Sequence, residues 1–132
     1  MTSTRLPGKV LADLEGRPML AQQLKRLRRC READEIVVVT TDRPTDDPVA
    51  ELVRREGIRC FRGDEADVLA RFLGASREAR ADVVIRVTAD CPLIDSEGVD
   101  RVVRELPGAD YASNVIRRTF PRGLDADALT AE

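Results

Sequence analysis

The run EIVVVTT, residues 35–41, decides the fold. It is almost wholly β-branched and shows no polar alternation, so it predicts a strand buried on both faces. TDDPVAELVRREG (45–57) follows with helical spacing: Val49, Leu52 and Val53 form an apolar stripe. Asp46 or Asp47 is placed to cap, Pro48 suits the first turn, and Gly57 suits the stop. IRCF (58–61) reads as the next strand. Strand, helix, strand within 27 residues is a βαβ unit with a right-handed crossover.

Working outward, the pattern repeats. DEADVLARFLGASREA (64–79) predicts a helix capped by Asp64 that buries Val68, Leu69, Phe72 and Leu73. DVVIRVTAD (82–90) predicts a strand. DSEGVDRVVREL (95–106) predicts a helix from Asp95 with Val99, Val102, Val103 and Leu106 inward, halted by Pro107-Gly108. ADYASNV (109–115) and LDADAL (124–129) read as strands on either side of the loop IRRTFPRG (116–123). Upstream, RPMLAQQLKRLRRC (17–30) predicts a helix with Leu20, Leu24 and Leu27 on one face and its basic run towards solvent. The expected architecture is one α/β domain over residues 1–132 with mostly parallel pairing.

Composition narrows the chemistry. The chain has 22 basic and 24 acidic residues, a formal net charge of −2, which lacks the basic bias of a nucleic-acid-binding surface. No apolar run reaches the length of a membrane span and no signal-peptide pattern opens the chain, so the expected location is the cytoplasm. There is no histidine, and the three cysteines, Cys30, Cys60 and Cys91, form no C-x-x-C pair. Zinc sites, disulfide frameworks and Ser-His-Asp or Cys-His catalysis are thereby disfavoured. Carboxylates, Lys, Arg, hydroxyls, backbone amides and a hard metal ion remain.

Three stretches carry such groups. TSTRLPGK (2–9) sets Arg5 and Lys9 about a Pro-Gly turn where Gly8 allows close approach of an anion. It is not a Walker A loop, since Val10 follows the lysine, and alone it reads equally as a solvated turn. In VTADCPLID (87–95), Asp90 follows a buried strand and so lies at the carboxyl edge of the sheet, where open α/β sheets bind ligands. A carboxylate there suits magnesium, or it caps a turn; Asp95 reads as the helix cap, and Cys91 as a packing residue. In RRTFPRGLDAD (117–127), Asp125 and Asp127 alternate on one face as metal ligands or as a solvated edge. Arg117, Arg118 and Arg122 there meet an anionic substrate or are surface charge. FRGDEADVLAR (61–71) adds a tight turn at Gly63 ahead of a helix N-terminus.

Taken in order, STRLPGK, VTTDRPTDDPVAEL, FRGDEADVLARF, RVTADCPLID and YASNVIRRTFPRGLD resemble the cytidylyltransferases of the spore-coat polysaccharide biosynthesis protein F group. These are related to the synthetases that make CMP-3-deoxy-manno-octulosonate and CMP-acylneuraminate. The resemblance implies a Rossmann-like three-layer sandwich of the nucleotide-diphospho-sugar transferase type. It implies a magnesium-dependent transfer of CMP from CTP to a sugar, as a sugar acid, with release of pyrophosphate for polysaccharide biosynthesis. Ser3, Thr4, Arg5, Gly8 and Lys9 would bind the nucleotide, with Arg5 and Lys9 acting in catalysis on the phosphates. Asp90 would hold Mg2+, with Asp125 as the second metal ligand. Family members begin with a strand ahead of this loop and continue past the point matching residue 132, into a segment concerned with sugar binding and dimerisation. The domain is therefore expected to be truncated at both ends and to lack its first strand, and a homodimer fits the family. The same fold also serves other nucleotides and acceptors, or nucleotide binding without catalysis.

Overall fold

The computed structural model describes residues 6–131. Pro7-Gly8 forms a tight turn: the Lys9 amide donates to the Leu6 carbonyl at 3.3 Å, with Gly8 at φ 69° and ψ 11°. Those angles are left-handed and favour glycine at the third position of the turn. A single turn of 3-10 helix, Lys9–Leu11, leads to a small hairpin, β1 (Asp13–Leu14) and β2 (Arg17–Pro18), that sequence periodicity does not reveal. Its two-residue turn is Glu15-Gly16, both at positive φ.

Helix α1 (Met19–Leu27) is shorter than its pattern predicts at both ends, starting after Pro18 as its N-cap and ending at the Arg28 C-cap. It buries Leu20 and Leu24 as expected, with Lys25, Arg28 and Arg29 exposed. Strand β3 (Val37–Thr41), helix α2 (Asp47–Arg55) and strand β4 (Arg59–Gly63) form the expected βαβ unit, with β3 and β4 parallel and in register from Val37–Arg59 to Thr41–Gly63. Val49, Leu52 and Val53 of α2 pack with Leu20, Ala21 and Leu24 of α1 against Val38 and Cys60.

The second half differs from the sequence expectation. Strand β5 (Val83–Arg86), strand β6 (Tyr111–Ser113) and strand β7 (Asp127–Thr130) form one sheet in the order β5-β7-β6. Both pairings are antiparallel, so among the described residues β3–β4 is the one parallel pair. The expectation of a mostly parallel sheet is corrected accordingly. The cause is β7, which returns after the 114–126 segment and inserts between β5 and β6. Helix α4 (Ser96–Arg104) covers this sheet with Val99 and Val102, joined by Leu106, Ile94 and Cys91.

Helix α3 (Val68–Ala79) is also corrected. It starts four residues later than predicted, capped by Asp67, whose carboxylate accepts from the Ala70 amide at 2.8 Å. Asp64 instead closes the preceding turn, accepting from the amides of Ala66 and Asp67. Leu69 is 76% exposed, and Val68 and Leu73 are also exposed, whereas Ala75 and Ser76 are buried. The helix docks through its small residues: a Cβ at Gly74 would lie 2.4 Å from the Phe61 ring. Because side chains alternate along a strand, Cys60 faces α1 and α2 while Phe61 faces α3. The β3–β4 sheet is thus covered on both faces. Strands β3 and β5 do not pair with one another; a cavity separates them.

Candidate functional site

The site begins at the Pro7-Gly8 turn and closes across 81 residues. Lys9 Nζ donates to Asp90 Oδ2 at 2.8 Å. Both side chains stay partly open to solvent, 32% and 47% exposed, so a ligand can reach either charge. The Lys9 hydrogen bond holds the Asp90 carboxyl below its usual range, with a further contribution from the Thr88 hydroxyl. Asp90 does not follow its strand directly, since β5 ends at Arg86, but it lies beyond the carboxyl end of that strand as expected.

The loop carrying Asp90 is fixed by α1. Gln23, 2% exposed, donates from Nε2 to the Thr88 carbonyl at 2.7 Å and to the Cys91 carbonyl at 3.1 Å, on either side of Asp90. One turn on, Arg26 Nε donates to the Ile94 carbonyl at 2.7 Å. Helix α1 also abuts the Lys9–Leu11 turn, whose Val10 and Leu11 pack on its apolar face. One rigid helix therefore sets the distance between the cation and the carboxylate. Sequence reasoning missed Gln23; a polar residue between Leu20 and Leu24 on the buried face was the available signal.

The Asp125–Asp127 pair separates. Asp127 accepts from Tyr111 Oη at 2.8 Å, Ser113 Oγ at 2.6 Å and Arg86 at 2.9 Å. Burial alone would raise its pKa, but these bonds outweigh it and hold the carboxyl low. Both its oxygens are engaged in joining β5, β6 and β7, which is a structural role. Asp125 receives both Arg118 nitrogens, at 2.6 and 3.2 Å, and that pairing lowers its pKa. The charge of Asp90 acts on Asp125 weakly in the opposite sense. Arg122 contributes a smaller attraction there.

Asp90 and Asp125, both partly exposed, are the carboxylates here that could hold a hard divalent cation, since magnesium takes one or two carboxylates and completes its shell with water and phosphate oxygens. No group of three or more Asp, Glu, Cys or His side chains with metal-ligating geometry occurs among the described residues. Gly8 and Lys9 lie in the described loop; Ser3, Thr4 and Arg5 lie outside the described residues. Asp95 caps α4, accepting from the Gly98 amide at 2.9 Å, and Cys91 is 5% exposed in the core, both as expected. Burial, reinforced by Asp100 and Asp95, pushes the Cys30 thiol up to about 11, which makes it a poor nucleophile.

A second anchor lies at the carboxyl end of β3. Asp46, 1% exposed, accepts from Thr40 Oγ1 at 2.6 Å, Thr41 Oγ1 at 2.8 Å and the Thr41 amide at 3.1 Å. Burial opposes its ionisation, yet the carboxyl is held well below the carboxylate range, with the Thr40 and Thr41 bonds among the causes. Next to it, the Gly63–Asp67 turn is gripped by Arg71, which donates to the Asp64 and Glu65 carbonyls. The ends of β3, β4 and β5 thus each carry a fixed loop.

No helix among the described residues is long and apolar enough to cross a membrane. The family model for cytidylyltransferases matches residues 1–123. The chain is 37% identical over 117 residues to the spore coat polysaccharide biosynthesis protein SpsF of Bacillus subtilis, covering 84% of this chain and 49% of that protein. It is 34% identical over 118 residues to a 3-deoxy-manno-octulosonate cytidylyltransferase of Anaeromyxobacter dehalogenans, covering 87% and 47%. Among solved structures, a cytidylyltransferase from Leptospira borgpetersenii superposes with a TM-score of 0.93 at 36% identity, over 99% of this chain and 57% of that one. The chain spans about half the length of the curated relatives it matches.

Proposed function

The chain belongs to the cytidylyltransferase family, and we propose that it transfers CMP from CTP to a sugar acid with release of pyrophosphate, in polysaccharide biosynthesis. The observation that carries this reading is the Lys9–Asp90 pair: a cation on a glycine turn set against a carboxylate beyond the end of β5. Such a pair offers both charges that a metal-bound triphosphate requires.

In this reading a sugar hydroxyl attacks the α-phosphorus and gives up its proton to solvent, the bond to the bridging oxygen breaks, and pyrophosphate departs with the electron pair. The protein contributes positioning and charge rather than covalent chemistry. Lys9, with Arg5, holds the phosphate oxygens, the turn at Gly8 brings backbone within reach of them, and Ser3 and Thr4 are further nucleotide-binding candidates. A cation about 4 Å from a phosphate oxygen interacts by about 4 kcal/mol at an effective dielectric near 20, before desolvation is counted. Asp90 and Asp125 are the side chains that would hold Mg2+, which supplies neutralisation of charge on the phosphates when bound. Gln23 keeps Asp90 in place throughout.

The test is pyrophosphate release by the polypeptide containing this domain, supplied with CTP, magnesium and a panel of 3-deoxy-2-keto sugar acids. Release with CTP and one acid is the expected result. Preference for UTP or GTP overturns the choice of base, and no release with any nucleotide overturns the reading.

A further inference from the structure

The antiparallel register sorts the side chains of the β5-β7-β6 sheet onto two faces. Ile85, Ala128 and Ala112 stand opposite one another in one row and pack towards α4. Their neighbours one residue along each strand point the other way, since side chains alternate. Two rows therefore cross the opposite face: Arg86, Asp127 and Ser113 in one, and Val84, Leu129 and Tyr111 in the other. Arg86 and Tyr111 are both about half exposed, so this face is open to a ligand.

The polar row leaves one group unused. Asp127 accepts from Tyr111 Oη, Ser113 Oγ and Arg86 Nη1, so both of its oxygens are engaged. Arg86 gives Asp127 only that one nitrogen; its Nε and Nη2 have no partner among the described residues. These two nitrogens form a planar fork of parallel N–H groups, the geometry that holds a carboxylate or phosphate by two bonds at once. Arg118 differs, because both of its terminal nitrogens are already given to Asp125. In the next row the exposed Tyr111 ring lies beside Leu129, an apolar surface for the C–H face of a sugar.

Placement decides which anion the fork meets. Ala126 is buried in the α4 cluster, which turns both Asp125 and Asp127 to the other side of the strand. Two residues of extended chain, about 7 Å, separate that pair. Lys9 meets Asp90 four residues beyond Arg86, in the carboxyl direction. With phosphates assigned to Lys9 and metal to Asp90 and Asp125, Arg86 stands behind the metal carboxylates rather than over the triphosphate. The reactant within its reach is the acceptor.

We propose that Arg86 is a specificity-determining residue: its Nε and Nη2 bind the carboxylate of the acceptor, Asp127 holds the guanidinium in place, and the Tyr111 ring lies beneath the sugar. This rests on the transfer reaction assigned above and extends it by naming the group that selects an acid.

The test uses the polypeptide containing this domain as wild type, Arg86→Gln and Arg86→Lys. The probes are 3-deoxy-manno-octulosonate and N-acetylneuraminate, each as free acid and as methyl ester, titrated by calorimetry. CTP affinity and melting temperature are measured on the same samples. The wild type is expected to bind at least one acid about tenfold or more tightly than its ester. Arg86→Gln is expected to bring the two within about twofold, and Arg86→Lys, which keeps the charge but not the fork, to fall between. CTP affinity stays unchanged in both variants. A wild type without preference for either acid overturns the proposal, as does a preference that survives in Arg86→Gln. A loss of CTP affinity in Arg86→Gln with the acid preference intact also overturns it, by assigning the fork to the triphosphate. Pyrophosphate release separates the two readings. Turnover with an acid preference indifferent to Arg86 removes this residue and leaves the reaction standing; Arg86-dependent acid binding without any turnover does the reverse.

Discussion

Lys9 Nζ and Asp90 Oδ2 stand 2.8 Å apart although 81 residues separate them. The pair is half in solvent, and exposed ion pairs contribute about 0–1 kcal/mol to stability. Under the proposed function, the pair acts on the nucleotide phosphates rather than on stability. Replacing Lys9 by Ala is expected to leave the melting temperature nearly unchanged while kcat/KM for CTP falls tenfold to a hundredfold, about 1.4–2.8 kcal/mol. Steady-state kinetics beside a thermal melt measures both. Unchanged kinetics removes Lys9 from the site.

Gln23 spans the Asp90 loop with both of its amide hydrogens. Gln23→Met keeps the volume and loses both bonds, leaving two carbonyls unsatisfied at about 1–3 kcal/mol. The expected signature beyond that loss is a raised magnesium requirement, measured as the metal concentration giving half-maximal rate below the melting range. A purely structural role would lower stability and leave that requirement where it was.

Asp46 links stability to pH. Its carboxyl is depressed in the folded state, so its contribution is present above the unfolded carboxylate value near 3.9 and is lost as pH falls below it. Asp46→Asn is expected to cost about 1–2 kcal/mol at pH 7 and progressively less below about pH 4. Urea melts of both proteins at pH 7 and pH 3 test this; an equal difference at both values contradicts it.

Asp125 and Asp127 differ by two positions but not in the same property. Asp127→Asn disturbs a half-buried carboxylate bonded by three side chains from β5 and β6, with an expected loss of about 1–3 kcal/mol. Asp125→Asn is expected to spare stability and weaken metal-dependent turnover. Melting curves and magnesium titrations on the two variants give opposite patterns if the roles are as assigned.

Gly74 is required by a close approach. A methyl group there meets the Phe61 ring at 2.4 Å, so Gly74→Ala is expected to destabilise by about 1–3 kcal/mol despite its better helix propensity. Phe61→Leu in the same chain should recover part of the loss, read by chemical denaturation. A stabilised single variant would show that α3 does not dock through this position.

Local chemistry made much of this legible. The β-branched run at 37–41, the stripe Val49-Leu52-Val53 and the Asp95 cap each appear where spacing placed them, because each depends on neighbours a few residues away. Helix α3 was misread for the same reason. VLARFLGA offers large apolar residues, but Phe61 fills the space beside Gly74, so the small residues face inward. Lys9 and Asp90 were each visible as a charge next to a turn, whereas the hydrogen bond between them and the grip of Gln23 on the Asp90 loop were not.

The sequence by itself determined the α/β class, the absence of histidine chemistry, and the Gly8-Lys9 turn, since these follow from composition and short-range geometry. Only the tertiary structure decided that β7 runs antiparallel between β5 and β6. It also decided that Asp127 joins β5, β6 and β7 while Asp125 pairs with Arg118, and that β3 and β5 face each other across an apolar cavity. Strand order and carboxylate partners depend on contacts between residues far apart in the chain, and no local pattern encodes which of several compatible partners the packing selects.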